Sequence, residues 1–275
     1  MTKKNRNFAN NIKESSMRVK KTLWLFATLI LFCSMPVNAQ DTEEYKPFFH
    51  TSELPDLLKW LPAPPDSTSE AFVHDIMRYM WGKTQRLDSV RAAIAKRDAI
   101  WQLDTTINEY SGAFGMRISK EETPEIYKFL VRGVTTCDKA GSKAKRFYQR
   151  KRPFMVMNEH MLSSWEEEGL RTNGSYPSGH TIRGWSLALL MMEINPEATD
   201  TILARGMMYG DSRVIVGAHW QSDVDAGRLA ASAAGIRLHT SPEFMEQLAK
   251  AKAEFRFLKY GIRETKKDKR RKSKK

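Results

Sequence analysis

Three short blocks hold the side chains whose types and spacing suggest chemistry. The central one is Gly174-Ser175-Tyr176-Pro177-Ser178-Gly179-His180-Thr181. Pro177 fixes its own φ and keeps Tyr176 extended. Ser178 is a favoured N-cap, and Ile182, Trp185, Leu189 and Met192 recur at helical steps beyond it. A helix is predicted to start here, with unpartnered N–H groups and the positive end of its dipole facing any bound anion. Gly179 would let that anion approach the backbone. Phosphate is the obvious anion, and His180, in the first turn, could protonate a departing oxygen. The tetrapeptide alone would equally suit a capped helix with an exposed histidine.

The second block is Lys145-Arg146-Phe147-Tyr148-Gln149-Arg150-Lys151-Arg152-Pro153. A basic run at the end of a helix is ordinarily a solvated surface favoured by the dipole. Arg152 differs, because Pro153 forces it to be extended and frees its planar fork to aim inwards. The third block contains Ser212-Arg213 and His219-Trp220-Gln221-Ser222-Asp223. His219 and Asp223 are four residues apart, so on one helical turn a carboxylate can hold one imidazole nitrogen and leave the other as nucleophile or base. Such a pair is also common as a plain surface contact. Arg213 stands beside Val214, Ile215 and Val216, where a buried guanidinium needs an anion.

Together the blocks supply two imidazoles, a carboxylate, three cations and helix-start N–H groups. Phosphoryl transfer through a phosphohistidine needs that set. In order and spacing they resemble the tripartite signature of the type 2 phosphatidic acid phosphatase superfamily, shared with vanadium haloperoxidases. Gly174 to Thr181 further resembles the fingerprint of bacterial class A non-specific acid phosphatases, and the likeness runs from about Leu61 to Pro242. The resemblance implies that Lys145, Arg152 and Arg213 bind phosphate with the backbone of Ser178 and Gly179. It implies that His219 attacks phosphorus, that Asp223 orients it, and that His180 protonates the leaving alcohol and then activates water. It implies no metal or organic cofactor, small phosphorylated substrates, and in outline a homodimer. A lipid phosphatase or phosphotransferase at a membrane surface, a haloperoxidase, and a protein that captures phosphorylated ligands without turnover are the alternatives.

The elements that must position these groups read as helices. The 275 residues are 41% hydrophobic, which suits one fair-sized core. Ser67 and Glu70 suggest a capping box, followed by Phe72, Val73, Ile76, Met77 and Met80 on one face and a stop near Gly82. Leu87, Val90, Ile94 and Trp101 suggest a second helix before Asp104. Thr123-Pro124-Glu125 opens a third through Ile126, Phe129, Leu130, Val134 and Phe147, with Lys145 near its end. Further helices are expected from Ser178, over 198–208 and over about 220–239. No useful strand alternation occurs, so the expected fold is all-α, a single compact multi-helix domain.

Residues 17–39 combine the basic Met17-Arg18-Val19-Lys20-Lys21, an apolar run from Leu23 to Phe32 and the small-residue site Val37-Asn38-Ala39. This reads as a secretory signal within residues 1–39, and hence as a periplasmic or secreted mature protein. The apolar run is too short to span a bilayer comfortably, so no transmembrane helix is expected in the mature chain. Cys137 is then the sole cysteine left, which leaves no intrachain disulfide. The net charge of +13 lies wholly in residues 1–39 and in the tail 263–275, and residues 40–262 are balanced. A nucleic-acid partner is therefore not expected. The tail is read as disordered, with attachment to an anionic surface as the minority alternative. His50, His74, His160 and His239 are isolated, and no metal-ligand spacing is present. The sequon Asn173-Gly174-Ser175 is read as accidental.

Overall fold

The structure, a computed structural model, describes residues 45–262; the secretory segment and the basic tail read from the sequence lie outside them. Among the described residues there are helices and no strand, as expected. The helices are α1 (Glu70–Gln85), α2 (Ser89–Asp98), α3 (Leu103–Phe114), α4 (Pro124–Cys137), α5 (Ser142–Tyr148), α6 (Pro153–Val156), α7 (Glu167–Arg171), α8 (Gly179–Ile194), α9 (Thr199–Ile215), α10 (Gln221–Leu238) and α11 (Pro242–Tyr260).

The fold is built round α8. Ile182, Leu187, Ala188, Leu190, Met191 and Ile194 are all buried, so the helix is apolar on most of its circumference and belongs inside. It packs against α4, α9 and α10, with α3 and α11 completing the main core. Gly227 of α10 lets the two helices close at the point that matters for the site. A Cβ there would lie 2.9 Å from the carbonyl oxygen of Ser178 and 2.9 Å from Cβ of Thr181. The start of α8 is thus wedged against α10, which fixes where its free N–H groups point.

Several elements differ from the sequence reading. In α1 the cap is Ser69, whose Oγ accepts from the N–H of Phe72, rather than Ser67. The helix also runs past Gly82 to Gln85. The apolar stripe of α1 is split: Phe72 packs against Trp220 with ring centroids 5.1 Å apart and Ile76 is half-buried, whereas Val73, Met77 and Met80 are exposed and Asp75, Tyr79 and Gly82 are buried. Leu87, which precedes the Asp88 cap of α2, and Val90 within it are exposed likewise, and Ala95 and Asp98 face in. Asp98 receives Arg205 at 2.5 Å and Ser212 at 2.6 Å, so a buried ion pair takes the place of the expected apolar contact. Trp101 lies beyond the end of α2.

The expected third helix ends at Cys137. Residues 138–141 turn the chain, and Phe147 is exposed on the separate α5. Thr123 does precede the first-turn Pro124, but its hydroxyl bonds to Ser119 and caps nothing. The expected helix over 198–208 extends to Ile215, and α3 and α11 were not foreseen. None of the helices is long and apolar enough to cross a membrane among the described residues.

Candidate active site

The break between α4 and α5 decides the position of Lys145. It brings the amine to the carbonyl oxygen of Gly174 at 2.9 Å, on the approach to α8. Arg152 is the N-cap of α6, and the following Pro153 holds it extended (φ −78°, ψ 157°), as the sequence implied. Its guanidinium is buried and donates to the carbonyl oxygens of Asn173 (3.0 Å) and Ala218 (2.9 Å). Its Nη1 also lies 3.0 Å from His219 Nε2. The basic run is therefore no solvated face at these two positions, although Arg146 and Lys151 are exposed.

Ser178 caps α8, its Oγ accepting from the N–H of Thr181. Its own N–H donates to the carbonyl oxygen of Asp223 at 2.8 Å, tying the start of α8 to α10. His180 points Nε2 at the carbonyl oxygen of Ala99 (3.1 Å) and packs edge-on against Trp101 with ring centroids 4.6 Å apart. A carbonyl only accepts, so Nε2 carries the proton and Nδ1 is the nitrogen free to exchange one.

His219 lies just before α10, in the turn that follows Gly217, rather than on a helical turn with Asp223. Gly217 has φ +86°, the left-handed region that glycine occupies without strain. Asp223, in the first turn of α10, still reaches His219 Nδ1, at 3.4 Å. Arg152 can only donate, so Nε2 of His219 is the bare nitrogen and Nδ1 carries the proton, facing Ser175 Oγ and Asp223 Oδ2 at 3.4 Å each. Asp223 is itself held from three sides. Ser175 Oγ donates to Oδ2, the N–H of Trp220 donates to Oδ2 at 2.8 Å, and Arg150 Nη1 donates to Oδ1 at 2.6 Å. Arg150 also binds the buried Asp75 of α1 at 2.8 Å.

Ser175, Arg150 and Asp75 are site residues that the sequence reading missed. Ser175 and Arg150 stand inside the two blocks already singled out, which was the available signal. Asp75 is some seventy residues away in the chain, and nothing local marks it.

A cavity of about 720 Å³ opens on this arrangement, lined by Lys145, Arg152, Gly179, His180 and His219 among others. Arg213 is fully buried behind it. Glu166, a cavity-lining residue, holds the Arg213 guanidinium through contacts of 2.9 and 3.2 Å. Ser178 and Asp223 likewise stand behind the lining, Asp223 where it braces His219. All eight site residues read from the sequence are thus in one place, with Arg213 screened by a carboxylate that the sequence did not reveal.

Burial, reinforced by the neighbouring cations, sets the electrostatics. Burial, reinforced by Arg152, lowers Lys145 to about 7. Burial together with Arg213 pushes His180 well below its ordinary value, and burial with Arg152 and Lys145 does the same to His219. Each of these groups would regain its proton affinity beside a dianion. Among the described residues, no three His, Cys, Asp or Glu side chains cluster so as to hold a metal ion.

Comparison with known proteins points the same way. The family described as PAP2 superfamily matches residues 129–244, which contain all three blocks. A non-specific acid phosphatase of Providencia stuartii is 42% identical over 85% of this chain and 95% of its own length. One from Salmonella typhimurium is 38% identical over 77% of this chain and 85% of its own. An acid phosphatase of Zymomonas mobilis is 36% identical over 80% and 83% respectively. With identities of this size over most of both chains, the protein belongs to the PAP2 superfamily and is an enzyme of its acid phosphatase class.

Proposed function

We propose that the enzyme hydrolyses phosphate monoesters in two steps through a phosphohistidine. Lys145, Arg152 and Arg213, with the N–H of Gly179, hold the phosphoryl oxygens and take up the charge of the transition state; the N–H of Ser178, expected from the sequence to join them, is instead spent on the carbonyl oxygen of Asp223. The phosphoryl group takes over the Arg152 N–H that otherwise meets His219, which frees the Nε2 lone pair for attack. As the N–P bond forms, the P–O bond to the leaving group breaks, and protonated His180 gives its Nδ1 proton to that oxygen. Water then attacks phosphorus, His180 takes its proton, the N–P bond breaks, and phosphate leaves. Asp223 keeps the Nδ1 proton of His219 in place throughout and stabilises the charge that the ring acquires.

The observation that carries this is the state of His219: a bare Nε2 beside Arg152, a backed Nδ1, and one cavity shared with His180. The test is a rapid quench into alkali, in which a phosphohistidine survives, during turnover of a phosphoryl-labelled ester. Label should appear on His219 in the wild type and be absent from His219→Ala, with turnover reduced by roughly 10⁴-fold or more. Label on another residue, or full activity of the variant, overturns the assignment. Chelation should leave the rate unchanged, and vanadate should inhibit by occupying the phosphoryl site.

Export follows from reading residues 17–39 as a cleaved signal, and so the mature enzyme acts in the periplasm or outside the cell. The basic tail favours a second reading, a phosphatase or phosphotransferase working on a membrane surface. Deleting residues 263–275 would then lower activity on anionic vesicles and leave a soluble ester unaffected.

A further inference from the structure

Three of the contacts that hold His180 lead back to one buried ion pair. Nε2 of His180 donates to the carbonyl oxygen of Ala99 at 3.1 Å, and Trp101 packs edge-on against the ring. The ring of Tyr209 lies near-parallel to it, with centroids 6.5 Å apart and planes 29° apart. Ala99 and Trp101 follow directly on Asp98, the last residue of α2. Tyr209 stands one helical turn beyond Arg205 on α9.

Asp98 and Arg205 are 1% and 8% exposed. Arg205 Nη2 and Nη1 donate to the two carboxylate oxygens of Asp98 at 2.5 and 3.2 Å, a fork that fixes both partners at once. Ser212 Oγ donates to Oδ2 at 2.6 Å, and Ser212 adjoins Arg213. Arg205 Nε is bonded to the carbonyl oxygen of Glu109 at 3.1 Å, and its guanidinium carbon lies 5.5 Å from the centroid of the Tyr209 ring. Burying two charges in this way adds little net stability, but it allows one register where an apolar contact between α2 and α9 could slide. Asp98 is not part of the cavity lining, so it meets no substrate.

Building on the phosphatase reading above, we propose that Asp98, paired with Arg205, is the positioning residue of the general acid. It fixes the Ala99 carbonyl that holds the Nε2 proton of His180, and so leaves Nδ1 free to exchange the catalytic proton. If that carbonyl moves, Nε2 loses its acceptor and the ring is free to turn. The damage falls on leaving groups that need a proton in order to depart.

Benzyl phosphate and p-nitrophenyl phosphate test this. Each carries one ring, but benzyl alcohol leaves only with a proton, whereas p-nitrophenolate leaves without one. Asp98→Asn keeps hydrogen-bonding atoms for Arg205 and Ser212 and loses the charge. The double variant Asp98→Leu/Arg205→Met replaces the pair by apolar groups, which a buried ion pair commonly tolerates, and Ser212 retains its bond to the Met208 carbonyl oxygen at 2.9 Å. In both variants the benzyl-to-nitrophenyl ratio of kcat/KM should fall about 10-fold from the wild-type ratio, towards the still lower ratio of His180→Ala. The ratio is formed within each variant, so a smaller folded fraction, which is all that a merely structural role would change, cancels. An unchanged ratio in both variants beside a lowered ratio in His180→Ala overturns the positioning role and leaves the phosphatase reading standing. A ratio unchanged in His180→Ala as well removes the general acid itself, and with it anything for Asp98 to position.

Discussion

The carboxylate of Glu166 stands between the Arg213 guanidinium and the cavity, with its oxygens 2.9 and 3.2 Å from the Arg213 nitrogens. Ser163 Oγ donates to the same carboxylate at 2.6 Å and helps to hold it there. A phosphoryl group that recruits Arg213 must therefore compete with an anion that the protein itself supplies.

Glu166→Gln should relieve that competition. The amide can still accept one hydrogen bond from Arg213, but it neither neutralises the cation nor repels a dianion. Inorganic phosphate should inhibit the variant more strongly, with a competitive inhibition constant lower by about 10-fold, the size of one charge-assisted hydrogen bond. An unchanged or higher constant would show that Glu166 supports Arg213 rather than screening it.

Anion affinity should fall as pH rises through neutrality. Lys145 titrates at about 7 in the empty site, so above that pH it has lost the charge with which it would meet a phosphoryl oxygen. A bound dianion raises this value again, and binding above pH 7 must then take up a proton. His180 adds to the effect in the same direction, since burial and Arg213 keep it unprotonated, and the leaving group needs its proton. Activity is thereby displaced to the acid side. Calorimetric titration of phosphate in buffers of different ionisation enthalpy measures the proton uptake, and none at pH 8 would contradict the role of Lys145. The folded chain also holds this amine far below its ordinary value. Between about 7 and its unfolded value the unfolded chain binds more protons, so this residue's contribution to stability improves as pH rises through that window.

The three blocks were readable in the chain because each is local: a proline that fixes the residue before it, an N-cap, and a histidine and an aspartate four residues apart. The helices were legible from periodicity, but the side they present was not. Val73, Met77 and Met80 form a clear apolar stripe, yet α1 turns Asp75 and Tyr79 inwards. There Asp75 joins Arg150 and Ser222, and Tyr79 meets Glu159. Asp98 and Arg205 do the same between α2 and α9. A buried polar network joins residues distant in the chain, and hydrophobic spacing carries no record of it. Glu166 escaped notice for the same reason.

Arg150 is expected to act through Asp223 rather than on substrate. It bridges Asp75 and Asp223, so Arg150→Met would leave two buried carboxylates without their shared cation. Breaking such a pair typically costs about 3–5 kcal/mol, which denaturant titration would register. In Arg150→Lys a charge remains but the two-sided fork is lost. That variant should stay folded with KM little changed and kcat reduced roughly 10-fold, because His219 is less well oriented when Asp223 is free to turn. Equal losses in kcat and in phosphate affinity would instead place Arg150 among the phosphate-binding groups.

The close contact at Gly227 separates site geometry from overall stability. A methyl group added there would press on the carbonyl oxygen of Ser178 and on Thr181, both in the segment that begins α8. Backbone cannot rotate away as a flexible side chain can, so α8 and α10 must part by a few tenths of an ångström. The overpacking should cost about 1–3 kcal/mol, visible as a lowered melting temperature. The same shift strains the bond from the Ser178 N–H to the Asp223 carbonyl oxygen and moves the N–H of Gly179 relative to His219, which Asp223 holds from α10. Misplacement between nucleophile and cradle harms the transition state more than the ground state, so Gly227→Ala should lower kcat by at least about 10-fold under conditions where the protein is fully folded. Wild-type kcat in a variant with a clearly lowered melting temperature would mean that the contact serves packing alone.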